Sequence, residues 1–262
     1  MFKNLFNKKD EKPMEVPQDW VFYACNVESN PASIRINLAL DKIAPIENYA
    51  TRIWFSVKLK NPDSNGFTTK EEFPKICQIE DDIVDALTEK GAIMAGALKT
   101  NGTFDLYLYS KKTDNYEEII HKVMAKNHSE YEYATDFKED KTWEDYFNFL
   151  YPNECEYQSI QNQKILFQLD QHGDNPEIER EIDHWLYFDS EEKRENYIAE
   201  VQQIGYKILS KENGTEDSET FFQLNISRAN STIEIDDYVW ELIDIAKKHN
   251  ADYDGWGCPI AK

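Results

Sequence analysis

The sequence predicts an α+β protein with antiparallel sheets, and three observations support this fold class. Stretches of eight or nine residues alternate strictly between apolar and polar side chains, which is typical of strands buried on one face. Helix-cap signals separate many of these stretches, and the same order of elements occurs twice. A length of 262 residues with 40% apolar side chains suffices for two domains, each with its own core.

The first part begins with a predicted hairpin of residues 20–27 and 33–40, joined through Ser29-Asn30-Pro31. Residues 51–59 alternate in the same way and form a third strand. A helix is expected behind Thr69 and Glu72, whose spacing is that of a capping box. Two strands follow, at residues 91–99 and 104–110, joined by a turn at Asn101-Gly102. A second helix is expected after Asp114, and a last strand at residues 130–137.

A connector with apolar residues at helical spacing follows, and Pro152 ends it. The second part then repeats the order of the first. Its elements are a leading helix at 156–173, a strand at 177–188, a helix capped by Asp189 and Glu192, a strand at 205–210, an acidic turn at 211–219, a strand at 220–228, a helix capped by Asp236 and a strand at 251–257.

Without the opening hairpin and the leading helix, each part reads strand, helix, strand, strand, helix, strand. This is the ferredoxin-like (βαββαβ) order of one antiparallel sheet with helices on one face. We therefore predict two ferredoxin-like domains, at residues 19–152 and 153–262, the first with an extra N-terminal hairpin. Residues 1–18 are predicted to be a disordered tail.

The charge of the chain is strongly acidic, with a net value of −21. From Glu154 onward there are 24 acidic and 10 basic residues, so the second part is the more acidic. Such a surface repels nucleic acid and anionic lipid and attracts basic partners. We therefore expect a protein partner, no direct nucleic-acid contact and no membrane contact; the oligomeric state is not indicated.

The four cysteines lie far apart and none has CxxC spacing, which excludes a zinc ribbon or a dithiol redox motif. So few cysteines suit a reducing compartment. The start of the chain lacks the apolar core of a signal peptide, and no apolar run is long enough to span a membrane. These features predict a cytoplasmic protein without a cofactor or a metal.

No motif of a hydrolase, a metalloprotease or a nucleotide-binding enzyme occurs in the sequence. His128 and His249 are expected at helix ends, where a cation is favourable, and His184 on the core face of a strand. Asp252 and Asp254 lie on one face of a predicted strand, but nothing suggests a cleft for a carboxylate pair. We therefore predict no catalytic residue.

Aromatic side chains lie on the face of several strands that faces away from the predicted core. They are Trp54, Tyr107, Tyr109, Trp185 and Tyr187. Two explanations remain open: the two sheets pack on each other, or these faces bind a partner. The candidate protein-binding residues are Trp54, Trp185, Tyr187, Asp252, Asp254 and Trp256.

The C-terminal stretch DYDGWG, residues 252–257, is expected to be the last strand. Alternation puts Asp252, Asp254 and Trp256 on one face, and Tyr253 with Gly255 and Gly257 on the other. We interpret Tyr253, Gly255 and Gly257 as a structural motif, in which Tyr253 packs under the helices and the glycines let the strand bend.

The second part resembles the RraB family, protein regulators of ribonuclease E. The stretches that carry the resemblance are HGDNPEIEREIDHWLYF, IGYKIL and KKHNADYDGWGC, at 172–188, 204–209 and 247–258. The first part is similar to a bacterial domain of unknown function that often precedes an RraB-like domain. The resemblance implies a ferredoxin-like fold, acidic character and regulation of ribonuclease E by docking on it rather than by catalysis.

The leading hypothesis is therefore a non-enzymatic protein-binding regulator that acts on a ribonuclease or another basic protein through an acidic and aromatic surface. One alternative is an immunity-type protein that neutralises a basic toxin nuclease. The other is an enzyme of unknown type.

Overall fold

The computed structural model describes residues 14–111, 115–216 and 219–262. The chain forms two compact units that divide between Pro152 and Asn153. The first contains a six-stranded sheet and the second a four-stranded sheet, and all strand pairs are antiparallel. The predicted α+β class with two antiparallel sheets is confirmed. Most of the predicted tail, residues 1–13, and Asp114 lie outside the described residues.

The sheet of the first unit has the strand order β1-β2-β4-β5-β3-β6. A 3₁₀ helix, Leu38–Lys42, follows β2, and a π-helical segment, Asp145–Leu150, follows β6. The strands and α-helices are β1 (Trp20–Val27), β2 (Asn30–Asn37), β3 (Thr51–Lys58), α1 (Phe73–Thr88), β4 (Ile93–Thr100), β5 (Thr103–Ser110), α2 (Tyr116–Asn127) and β6 (Tyr133–Glu139).

The opening hairpin differs from the prediction at its turn and at its end. The chain turns at Glu28 and Ser29, whose φ angles of 49° and 68° are left-handed, and Pro31 already pairs within β2. β2 ends at Asn37, because the Asn37 side chain accepts a hydrogen bond from the Ala39 amide and caps the 3₁₀ helix. The turn predicted at Ser29-Asn30-Pro31 and the strand end predicted at residue 40 are therefore wrong.

The start of α1 also differs from the prediction. Glu72 occupies the N-cap position, but no side chain caps the helix there. The Glu72 carboxylate instead accepts hydrogen bonds from the backbone N–H groups of Lys60 and Asn61, at 2.8 and 2.9 Å. Because the preceding loop uses this carboxylate, Thr69 and Glu72 do not form the predicted capping box.

The main core of the first unit lies between the sheet and its two helices. α1 contributes Ile76, Ile79, Ile83 and Leu87, and α2 contributes Ile120 and Met124. The sheet residues of this core belong to β3, β4 and β5, among them Ile53, Phe55, Val57, Ala97, Phe104, Leu106 and Leu108. The core-facing residues Ile53, Phe55, Val57 and Leu59 are thus those that the alternation of residues 51–59 predicts.

The other face of this sheet is covered by the connector before Pro152. Trp143 stacks on Tyr109 with ring centroids 3.9 Å apart, and both side chains are fully buried. Tyr109 Oη donates a hydrogen bond to Asp140 Oδ2 at 2.7 Å, and Tyr146 Oη donates to the Asn37 carbonyl at 2.9 Å. The sequence left two explanations for aromatic residues such as Tyr109 that face away from the predicted core. The structure shows a third for Tyr109: the unit covers it with its own connector.

The second unit has a sheet with the strand order β10-β7-β9-β8. Its elements are α3 (Glu154–Gln171), β7 (Arg180–Phe188), α4 (Glu191–Gln203), β8 (Lys207–Glu216), β9 (Glu219–Asn230), α5 (Ile235–Lys248) and β10 (Ala251–Gly257). The helices bury Ile182, Leu186, Phe188, Leu224 and Ile226 on one face of the sheet, together with residues of α4 and α5.

Two helix caps in the second unit differ from the prediction. Ser190, not Asp189, caps α4, because its hydroxyl accepts from the Lys193 amide. Glu234 rather than Asp236 stands at the N-cap of α5, and no side chain caps that helix. Asp236 lies in the first turn of α5, where its carboxylate accepts a hydrogen bond from the Asn162 side chain.

The predicted acidic turn at 211–219 is instead the end of a long hairpin. β8 runs to Glu216, and Gly214 pairs with Phe221 across the two strands. The Phe221 ring lies directly over Gly214, where a Cβ would stand only 2.3 Å from the ring. Gly214 leaves room for the Phe221 ring to lie across the strand. Strand pairing therefore continues through a stretch whose sequence is typical of a turn.

Candidate protein-binding face of the second unit

His184 lies in the core of the second unit, as its position on β7 predicts. Its side chain is 1% exposed, and its Nδ1 shares a hydrogen bond with Tyr253 Oη at 2.7 Å. Burial, and to a lesser degree the Arg228 charge, lowers the pKa of His184 to about 3. The imidazole is therefore neutral at physiological pH and forms part of the packing under the helices.

The DYDGWG stretch forms β10, but its faces differ from those that simple alternation predicts. The pairing with β7 shifts between Tyr253 and Gly255, and Gly255 has a φ of 143°, which favours glycine. This bulge turns Trp256 to the helix side, where it is 5% exposed. The prediction that Trp256 shares a face with Asp252 and Asp254 is wrong, because one extra residue in a strand reverses the alternation.

Trp256 joins a buried polar cluster that fixes α3 to the rest of the unit. Its Nε1 donates to Asn162 Oδ1 at 2.8 Å, and the Gln158 amide donates to the same oxygen at 3.2 Å. Asn162 Nδ2 in turn donates to Asp236 Oδ1 at 2.7 Å. Asn162 is fully buried. Sequence reasoning missed it, because a single Asn inside a helix carries no signal of its partners.

The loop before β7 is held by a buried ion pair. Arg180 Nη2 donates to Asp174 Oδ2 at 2.6 Å, and the two side chains are 6% and 3% exposed. Arg180 also donates to the carbonyls of Asn175 and Ile178, and Asp174 Oδ1 accepts from the Ala261 amide. The pair therefore connects the stretch 172–180 with the C-terminal segment of the same unit.

The sheet face opposite the helices, which we call the open face, carries aromatic side chains in register with β10. Trp185 pairs with Gly255 and Tyr187 with Asp252, so all four positions share this face. The Trp185 ring lies beside Gly257, where a Cβ would contact it at 3.5 Å. Tyr187 packs on Phe221 with centroids 5.7 Å apart and accepts a hydrogen bond from Gln223 Nε2.

Three carboxylates of the open face have no cation and no hydrogen-bond donor among the residues that the structure describes. They belong to Asp183, Asp252 and Asp254. Asp183 lies two residues before Trp185 on β7, and Asp252 and Asp254 are exposed on β10. Lys207, which pairs with Ser227 next to Asp183, is already bound to Glu181 at 2.6 Å. The open face thus combines half-buried aromatic rings with unneutralised negative charge.

Comparison with known proteins agrees with this division of the chain. The family model described as "Regulator of ribonuclease activity B" (RraB) matches residues 159–258, and the family of unknown function DUF695 matches residues 18–151. A "Regulator of ribonuclease activity B" from Salmonella typhi is 30% identical over 110 residues, 40% of this chain and 79% of that protein. The chain belongs to DUF695 in its first unit and to the RraB family in its second.

Other comparisons add less to this assignment. A second "Regulator of ribonuclease activity B", from Escherichia coli (strain K12), is 29% identical over the same shares of both chains. An unknown protein from Galdieria sulphuraria, known from its crystal structure, is similar at 13% identity with a TM-score of 0.25, over 80% of this chain and 99% of that chain. So low a TM-score carries no argument about the fold.

The remaining candidate site residue, Trp54, belongs to the DUF695 unit. It is half-buried on β3, and its Nε1 donates to Asp105 Oδ2 at 3.3 Å. Ser56 Oγ donates to Asp105 Oδ1 at 2.6 Å, and burial raises the pKa of the Asp105 carboxyl. A role of Trp54 in partner binding stays a prediction.

No group of three or more His, Cys, Asp or Glu side chains is arranged to hold a metal ion within the ranges that the structure describes. No helix within the same ranges is long and apolar enough to cross a membrane.

Proposed function

We propose that this protein is a non-enzymatic regulator of ribonuclease activity, which binds a basic protein partner through the open face of its RraB unit. The names of its relatives support the class of function. The observation that carries the proposal is the set of three unpaired carboxylates, Asp183, Asp252 and Asp254, beside Trp185 and Tyr187. The partner is a ribonuclease or another basic protein.

The two kinds of side chain on this face have different roles in binding. Unpaired carboxylates attract a basic surface over distances of about 10 Å at moderate salt and raise the rate of encounter. Aromatic side chains supply the short-range contact area that dominates binding energy. Trp256 takes no part in this proposal as a contact, because its indole is buried beside Asn162.

We also propose that both units have the ferredoxin-like fold. In the RraB unit, the first and third strands of the βαββαβ order lie at the centre of the sheet, with order β10-β7-β9-β8. In the DUF695 unit, strands β3 to β6 take the equivalent order β4-β5-β3-β6, extended by the β1–β2 hairpin. The two strand orders support a common fold. In the RraB unit the helices on one face of the sheet leave the other face for binding.

The experiment is a binding and activity assay with a purified ribonuclease of the host, with the full chain as regulator. We expect the native chain to bind the ribonuclease and to change its cleavage rate. The variant Asp252→Asn/Asp254→Asn should bind at least about tenfold more weakly, since loss of two charges weakens electrostatic attraction. Raising the salt concentration should reduce the difference between the two proteins.

A matched control variant is Glu192→Gln/Asp237→Asn, which removes two exposed acids from α4 and α5 with the same change in net charge. It should bind like the native chain. If the native chain neither binds the ribonuclease nor alters its activity, the proposal is wrong. Neutralisation of a toxin nuclease without any effect on the host ribonuclease would favour the immunity-type alternative.

A further inference from the structure

The open face of the RraB unit holds flat aromatic rings and carboxylates at neighbouring positions of two strands. Trp185 and Tyr187 lie two residues apart on β7, and β10 places Asp252 opposite Tyr187 and Gly255 opposite Trp185. Asp183 stands next to Trp185 on the same face of β7. Each aromatic ring therefore has an unpaired carboxylate beside it: Asp183 beside Trp185, and Asp252 beside Tyr187.

The glycines of β10 leave the Trp185 ring without a covering side chain on that side. Gly255 has no neighbour within 4 Å of its Cβ position, and Gly257 contributes only backbone beside the ring. A Cβ at Gly257 would contact the indole at 3.5 Å, whereas one at Gly255 would meet no atom within 4 Å. Since Trp256 points to the core, no side chain from these three positions of β10 lies over Trp185.

Asn225 provides a third group on this face. It pairs with Trp185 across β7 and β9. Its Oδ1 is buried, yet it accepts no hydrogen bond from the residues described. A buried acceptor without a donor is unfavourable. Since this oxygen has almost no exposed surface, a ligand N–H group reaches it only when the Asn225 side chain moves.

We propose that this face recognises arginine side chains of the partner, in preference to lysine. This inference rests on the proposed function and specifies the chemistry of its partner. A guanidinium is planar and always charged, and its five N–H donors form a rigid fork. It stacks on an indole or phenol ring while it donates two parallel hydrogen bonds to a carboxylate.

Lysine cannot satisfy the same set of groups. Its ammonium is a compact, strongly hydrated charge, which pairs with a carboxylate but does not stack flat on a ring. Either residue, arginine or lysine, would neutralise the charges of Asp183, Asp252 and Asp254 equally well. The rings of Trp185 and Tyr187 are what distinguish the two.

The test compares three peptides that share one sequence and differ at three positions, which carry arginine, lysine or the neutral arginine analogue citrulline. Binding to the full chain is measured by calorimetry and by NMR of the Trp185 indole N–H. We expect the arginine peptide to bind about tenfold more tightly than the lysine peptide, and the citrulline peptide to bind more weakly than both. Trp185→Leu should reduce the preference for the arginine peptide, since only the Tyr187 ring then remains for stacking.

Controls separate this result from loss of structure and from charge alone. The melting temperature of Trp185→Leu is compared with that of the native chain, and Glu192→Gln/Asp237→Asn should keep the arginine preference. Equal affinity for the arginine and lysine peptides would overturn the inference, while binding to the ribonuclease would still stand. Binding of neither peptide would also overturn it, and the ribonuclease assay would decide separately on the proposed function.

Discussion

Trp256 and Asn162 are joined by a buried hydrogen bond of 2.8 Å between the indole N–H and the amide oxygen, across 94 residues of chain. This bond connects the last strand with α3, the leading helix of the RraB unit. The Trp256 side chain also packs against Ile182, Val239 and Ile243. The Trp of the DYDGWG stretch is therefore a core residue with a fixed polar partner.

Replacement of Trp256 should destabilise the RraB unit. We expect Trp256→Ala to cost about 3–5 kcal/mol of unfolding free energy and Trp256→Phe about 1–2, since the phenyl ring keeps part of the packing but leaves Asn162 without its donor. Denaturant unfolding measures both. Trp240→Phe is the control, because that indole is 38% exposed while it also donates hydrogen bonds, to the Cys155 carbonyl and Ser159 Oγ. A Trp256→Ala protein with native stability would contradict the structural role of Trp256 in the core.

The two glycines of this stretch should differ in their tolerance of alanine. Gly255 has a φ of 143° and free space around its Cβ position, so Gly255→Ala introduces backbone strain without a clash, about 1–3 kcal/mol. At Gly257 a Cβ meets the Trp185 ring at ordinary contact distance. Thermal unfolding should therefore show a larger loss of stability for Gly255→Ala than for Gly257→Ala. The reverse order would contradict the presence of a bulge at Gly255.

The Asp174–Arg180 pair predicts a strong, asymmetric effect of mutation. Removal of the carboxylate in Asp174→Ala leaves the buried Arg180 guanidinium without its counter-charge, which costs about 3–5 kcal/mol. The double variant Asp174→Ala/Arg180→Met should recover part of that loss. A double-mutant cycle from denaturant unfolding measures the coupling. Additive losses would show that the two residues act independently.

His184 predicts a specific dependence of stability on pH. Burial holds its pKa near 3 in the folded protein, against about 6.5 for an unperturbed histidine. The unfolded chain therefore binds a proton below about pH 6.5 that the folded chain does not bind. The contribution of neutral His184 is complete above that pH and falls by up to about 1.4 kcal/mol per pH unit as the pH drops towards 3.

The matched variant for this test is His184→Gln, which cannot titrate but keeps an acceptor for Tyr253. Unfolding free energies of both proteins are measured between pH 7 and the lowest pH at which both fold. We expect the native chain to lose stability faster than the variant as the pH falls. Parallel curves would show that His184 does not couple to folding.

Much of the fold follows from local patterns. The alternation of residues 51–59, 104–110 and 177–188 predicts strands, because burial of one sheet face imposes a period of two. The structure confirms them, although the third begins only at Arg180. Asn101-Gly102 forms the predicted turn, with left-handed φ angles of 46° and 79°. Patterns of this kind depend only on neighbouring residues.

The predictions fail where residues distant in the sequence determine the local structure. Glu72 has the spacing of a capping box, but its carboxylate is occupied by amides of the preceding loop. Alternation misplaces Trp256, because the bulge at Gly255 reverses the faces. The unpaired state of Asp183 and the buried oxygen of Asn225 depend on which side chains the fold brings near them, and a linear sequence does not contain that information.

The connector that covers Tyr109 makes the DUF695 unit self-sufficient on that face of its sheet. Since Trp143, Tyr146 and Leu150 are fully buried there, the unit carries an aromatic cover of its own at the end of its sequence. A module that seals its sheet in this way needs no companion to bury that surface.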